Sequence, residues 1–178
     1  MDLFQREGYH ATSWRRLVQE SGAPWGSAHH YFPGGKEQLG VAAVEVAAAS
    51  VTGMMEDCFS RADSAADGIR RLFVAGAASL KRSGFQKGCP VTTVALETVP
   101  ASPAMTDACR NAFESWTAAI TAGLLRDGIP QERAAALAIS IFAAFEGALV
   151  AARVAQSAVP LQVSGEILAD LVAREPRA

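Results

Sequence analysis

The residues best suited to do chemistry in this chain stand in one stretch, GAPWGSAHHYFPGGKEQL (Gly22–Leu39). Two adjacent imidazoles, His29 and His30, could hold a metal or accept a proton. Successive helical residues point about 100° apart, and no thiol or carboxylate is spaced to complete a ligand set. No metal site is therefore expected. Gly34-Gly35-Lys36 lacks the spacing and the following Ser or Thr of a nucleotide-phosphate loop. The chain has no nucleophile–base pairing and no paired-carboxylate spacing, so neither catalysis nor a cofactor is expected. A helical enzyme using His29 or His30 as general base is retained only as an alternative.

Two carboxylates, Glu97 and Glu146, interrupt otherwise apolar stretches, where a charge demands a partner. For Glu146 the expected one is Arg153, two helical turns beyond, within the subunit or across a dimer, with a role in ligand binding second. Met54, Phe73, Phe113, Trp116 and Phe142 could fill a core or line a pocket between helices, since both use the same residue types. The pocket reading places them around an apolar cavity, with Thr92, Thr93 or Glu97 supplying polar contacts. Cys58, Cys89 and Cys109 are odd in number and lack metal-ligand spacing. They read as buried thiols in a reducing cytosol, and no basic-then-apolar leader precedes them.

The elements that position these residues are helical. Half of the 178 residues are hydrophobic, alanine is abundant and strand signals are almost absent; only Pro90–Val94 is briefly β-branched. Breaks at Gly8, Gly22, Pro33–Gly35, residues 60–66, 84–90, 99–103, 127–130 and 157–160 divide the chain into roughly nine helices. Val44, Ala47, Val51, Met54 and Cys58 mark a long helix from about Lys36 to Arg61. Ser102-Pro103 is a capped helix start, and Met105, Cys109, Phe113, Trp116, Ile120 and Leu124 follow as a stripe.

The helix opened by Pro130 is apolar nearly all round, so more than one surface must cover it. Its longest uncharged run, Ala134–Phe145, is twelve residues. A bilayer span needs roughly 20, so no membrane partner is expected. A second copy of the chain is the expected cover. The dimer is read as a four-helix bundle of this helix and the last one, with Ile141, Ala144, Phe145, Ala148, Leu168 and Leu171 at the interface.

Near the front, residues 2–7, 12–21 and 24–31 form three short helical segments separated by Gly8 and Gly22. Two short helices across a glycine turn are the helix-turn-helix arrangement, whose second helix enters a DNA groove. YHATSWRRLVQESGAPWGSAHHYFPGGKEQL (Tyr9–Leu39) resembles the signature region of TetR-type transcriptional repressors. GCPVTTVALETVP (Gly88–Pro100) and FEGALVAARVAQSAVPL (Phe145–Leu161) are similar to the LmrA/YxaF-type subgroup.

The resemblance implies an all-α fold with a helix-turn-helix domain over residues 1–39, its first helix shortened to about two turns. A ligand-binding and dimerisation domain then covers residues 40–178. It implies phosphate contacts from Thr12, Ser13 and Lys36, and a recognition helix bearing Ser27, His29, His30 and Tyr31. Trp25 stands where a basic residue is common. Members of the subgroup repress multidrug-exporter genes and respond to small planar compounds.

Against this, residues 1–39 carry four cations (Arg6, Arg15, Arg16, Lys36) and four anions (Asp2, Glu7, Glu20, Glu37), and the whole chain carries −2. This argues against broad polyanion affinity but not against a few local phosphate contacts. The expected function is a cytoplasmic, homodimeric repressor of an exporter or stress-response gene, binding double-stranded operator DNA and released by a small hydrophobic or planar aromatic effector. The alternative is an N-terminally shortened dimer that binds small molecules but DNA only weakly.

Overall fold

The computed structural model describes residues 1–177 and shows no strand among them. Its helices are α1 (Asp2–Glu7), α2 (Trp14–Ser21), α3 (Trp25–Tyr31), α4 (Gly35–Ser60), α5 (Ala65–Arg82), α6 (Pro90–Thr98), α7 (Pro103–Arg126), α8 (Gln131–Ala155) and α9 (Val159–Ala173). The starts and stops follow local chemistry. Ser13, Ser64 and Ser102 each cap the helix they precede, accepting the N–H of Arg16, Asp67 and Met105. Gly22 leaves α2 in the left-handed region, at φ 68°. The β-branched stretch at Pro90–Val94 is the start of α6, where Pro90 fills the first helical position and the Cys89 sulfur accepts the Thr92 N–H.

The body is built from paired helices: α4 packs along α7, α5 along α9, and α8 lies against both α7 and α9. Ile69, Leu72, Met105, Trp116, Ile120 and Ile141 are fully buried where they meet. Close approach is bought with small residues. Phe59 of α4 lies against Gly68 of α5 and Gly123 of α7, and a Cβ at either would overlap its ring. Phe73 likewise covers Gly165 of α9 and meets Phe145 edge-on, with ring centroids 5.2 Å apart.

Residue 40 lies inside α4, so the first three helices and the body share one continuous helix. They are also joined through α1, which packs on α6 and sends Phe4, fully buried, into the core. In contrast, α3 buries none of its residues. Two helices, α4 and α8, are long and apolar enough to cross a membrane by length and composition alone. Each turns a row of side chains into the core, among them Val44 and Met55 of α4 and Leu137 and Ile141 of α8.

Candidate nucleic-acid interface and ligand cavity

Seven residues make α3 too short to be stable alone, so its shape depends on the Gly22 corner and the turn at residues 32–35. Only Ser27 and Ala28 are half-buried. His29 and His30 are exposed, Trp25 is 56% exposed and Tyr31 72%. An aromatic surface left this wet is unusual for a structural role and natural for a contact face. Ser13 is exposed at the start of α2. Arg16 is held by Glu7 at 2.7 Å, whereas Arg15 makes no ion pair among the described residues. Among the described residues Arg15 is thus an unpaired cation on this surface. The adjacent arginines are visible in the sequence, but which of them Glu7 takes is a tertiary matter.

Two expected phosphate contacts sit differently. Thr12 is fully buried, and its hydroxyl donates to the Gly8 carbonyl at 2.8 Å, so it fastens the corner after α1 and does not reach outward. Lys36 is half-buried, its Nζ 4.2 Å above the Tyr9 ring and 3.5 Å from the His10 carbonyl. Burial pushes its pKa down, with the nearby Glu97 opposing. In this position Lys36 braces the residues after α1.

The same corner is tied to the body. Gln5 donates to the Gly88 carbonyl at 2.8 Å, Arg6 to the Gln86 side chain at 3.2 Å, and Asp2 pairs with Lys87. Glu97 on α6 accepts the His10 N–H at 2.6 Å. Residues 84–89, between α5 and α6, are thus pinned to α1.

Those residues also wall two hollows. One, of about 440 Å³, is lined by Val51, Met54, Met55, Trp116, Phe145 and Leu149, and also by Gln5, Lys87 and Gly88. The other, a cleft of about 790 Å³, is lined by Arg6, Thr92, Thr93, Glu97, Val150 and Arg153. Glu146 and Cys89 belong to both.

The single expected cavity is therefore divided. Met54 and Trp116 line the first hollow, and Thr92, Thr93 and Glu97 the second. Phe113 and Phe142 line a separate shallow hollow with Thr92, and their rings are 5.0 Å apart. Phe73 lines none of these; it is spent covering Gly165 and packing on Phe145.

Within the protomer Glu146 does not pair with Arg153. Its carboxylate accepts the Thr92 hydroxyl at 2.8 Å. Burial pushes its pKa up, with hydrogen bonds from Thr92 and Cys89 opposing. The Cys89 thiol is pushed up to about 12 by burial and the neighbouring Glu146, which leaves it without thiolate character at neutral pH.

Residues 1–43 match the family described as bacterial regulatory proteins of the tetR family, and residues 65–167 match the LmrA/YxaF-like transcriptional regulator C-terminal domain. The chain is 31% identical over 173 residues to the HTH-type transcriptional regulator YxaF of Bacillus subtilis, covering 97% of this chain and 91% of that protein. It belongs to the TetR family. To the HTH-type regulator LmrA of the same organism it is 30% identical, over 97% of this chain and 92% of that one. Its fold is similar to that of a TetR transcriptional regulator from Legionella pneumophila, with TM-score 0.81 and 24% identity, covering 96% of this chain and 91% of that one. It is similar also to one from Chloroflexus aurantiacus, with TM-score 0.80 and 26% identity, over 98% and 90%. This TetR-family chain is thus a DNA-binding transcriptional regulator with a helix-turn-helix, not an enzyme.

On this TetR-family body the outer face of α8 and α9 is apolar. Ile139 and Ile167 are each 63% exposed, and Val150, Val154, Val163 and Leu171 join them. The expected interface had the wrong phase on α8. Ile141, Phe145 and Ala148 turn into the protomer's own core, while Ala144 and Leu168 are half-buried and Leu171 is exposed. A helix apolar all round has no polar side to fix its rotation, so its sequence leaves the outward face open.

Proposed function

We propose that this regulator is a cytoplasmic homodimer that represses an exporter or stress-response gene and releases its operator when a small apolar compound binds. The apolar stripe on α8 and α9 supports a two-fold partner, since a face of this kind would otherwise stand in water. The wet aromatic and imidazole surface of α3 supports groove contacts by Trp25, Ser27, His29, His30 and Tyr31. Ser13 and Arg15 are suited to phosphate.

One observation carries the ligand response. Gln5 of α1 lines the 440 Å³ hollow and is also bonded to the Gly88 carbonyl on its wall. A compound filling this hollow presses on residues 87–90 and hence on α1. Two conformations are then biased in opposite directions, one by DNA and one by ligand, and the shift is limited by each one's preference. The test is a mobility-shift assay on the DNA upstream of the protein's own gene, with and without acridine as the planar compound. Binding relieved by acridine supports the reading; binding indifferent to it refutes the ligand response. The light anchoring of α3 favours a second reading, a ligand-binding dimer with weak DNA affinity. That reading expects acridine binding and no shifted band.

A further inference from the structure

We propose that the 440 Å³ hollow takes an aromatic cation and that Glu146 reads its charge. This rests on the reading of that hollow as the effector site. Glu146 is largely enclosed between α8 and the first turn of α6, in the wall shared by both hollows. The Thr92 hydroxyl donates to it at 2.8 Å, which holds it as an acceptor, and the Cys89 thiol lines the same wall.

The cations around it are engaged elsewhere or stand off. Lys87 pairs with Asp2, and Arg6 with Asp2 at 3.0 Å. Arg82 lines the first hollow and Arg153 the second, yet neither makes an ion pair with Glu146 among the described residues. A carboxylate held in an apolar wall without a counter-ion costs free energy that a ligand's cation offsets. The rest of the wall suits the rest of such a ligand. Trp116 and Phe145 bring aromatic side chains, which attract a positively charged ring, to this wall, and Met54 and Met55 bring adaptable thioethers. The volume falls within the usual range of small-molecule sites.

The experiment is equilibrium dialysis of the full chain at pH 8 with three tricyclic probes of one shape. They are 10-methylacridinium, acridine (neutral at this pH) and anthracene-9-carboxylate. The expected order is methylacridinium, then acridine, then carboxylate, with the first preferred over the second by about tenfold, as one charge-assisted contact gives. In Glu146→Gln, which keeps an acceptor for Thr92, methylacridinium and acridine come within about twofold of each other. Equal binding of the three by the parent, preference for the carboxylate, or a cation preference that survives Glu146→Gln overturns the proposal while leaving the hollow a ligand site. Absence of all binding, or binding undiminished in the cavity-filling Ala78→Phe, overturns the effector site itself and the proposal with it. Should either variant fail to fold, the ranking of the three probes by the parent decides.

Discussion

Glu97 and His10 are joined at both ends: the Glu97 carboxylate accepts the His10 N–H at 2.6 Å, and the His10 ring Nε2 lies 2.8 Å from the Glu97 carbonyl. They are 87 residues apart in the chain, one after α1 and one on α6. Gly8, at φ 88°, lets the chain pass so close that a Cβ there would overlap the Glu97 carboxylate. The corner that leads into the helix-turn-helix is thereby fastened to the helix that walls both hollows.

Glu97→Ala should cost about 1–2 kcal/mol of stability, the usual worth of such hydrogen bonds when partly exposed. More tellingly, acridine should then release DNA less completely while binding the protein nearly as well as before. Paired titrations of ligand alone and of ligand against the DNA complex measure this. Unchanged release would mean that the Glu97–His10 link does not carry the coupling.

Ile167→Glu, placed on the outward face of α9, should turn a dimer into monomers without loss of helix. Each side loses the burial of a large apolar side chain, about 1.5–3 kcal/mol, and two-fold symmetry doubles the effect. Sedimentation velocity of parent and variant at micromolar concentration, beside their far-ultraviolet circular dichroism, gives the answer. A monomeric parent would remove the proposed assembly.

The pH dependence of Glu146 has a definite sign. Burial raises its folded-state pKa above the unfolded value, so the folded state disfavours the charged form. Stability from this group is intact below the ordinary glutamate pKa of about 4.3 and is lost as pH rises through the raised folded value. Glu146→Gln should therefore match the parent in acid and exceed it at neutral pH, by about 2–4 °C in melting temperature per kcal/mol recovered. A variant less stable than the parent at neutral pH contradicts an uncompensated carboxylate.

How far the sequence can be read is clearest where it failed. Helix ends were legible because proline, glycine and capping serines mark them locally, as at Ser102-Pro103 and Gly22. The rotation of α8 was not, because alanine and large apolar residues surround it and nothing marks an outward side. Phe73 could not be told from a pocket residue until Gly165 was seen beneath it. Thr12 and Ser13 are adjacent and chemically alike, yet one is buried against the Gly8 carbonyl and the other caps a helix in the open. Likewise Arg153, near in sequence, suggested itself for Glu146, but within the protomer the partner is Thr92, 54 residues away.

Trp25 offers a test through salt. A lysine there would add a phosphate contact in each half-site, and each neutralised phosphate steepens the logarithmic salt dependence by about 0.9. The parent should therefore show a shallower slope than Trp25→Lys, by about 2 for a dimer. Equal slopes across the salt series mean that position 25 does not face the phosphate backbone.

The measurement that bears most directly on the regulator's central property is fluorescence anisotropy with two duplexes, the gene's own upstream region and a scrambled sequence of equal length and composition. At near-physiological salt the parent should prefer the upstream duplex by about 10³-fold or more. The double substitution His29→Ala and His30→Ala should lose most of that preference while binding the scrambled duplex within a few-fold of the parent, the result expected of imidazoles that meet base edges and not phosphates. A parent that binds both duplexes equally, or a double variant that keeps the full preference, would contradict recognition through α3.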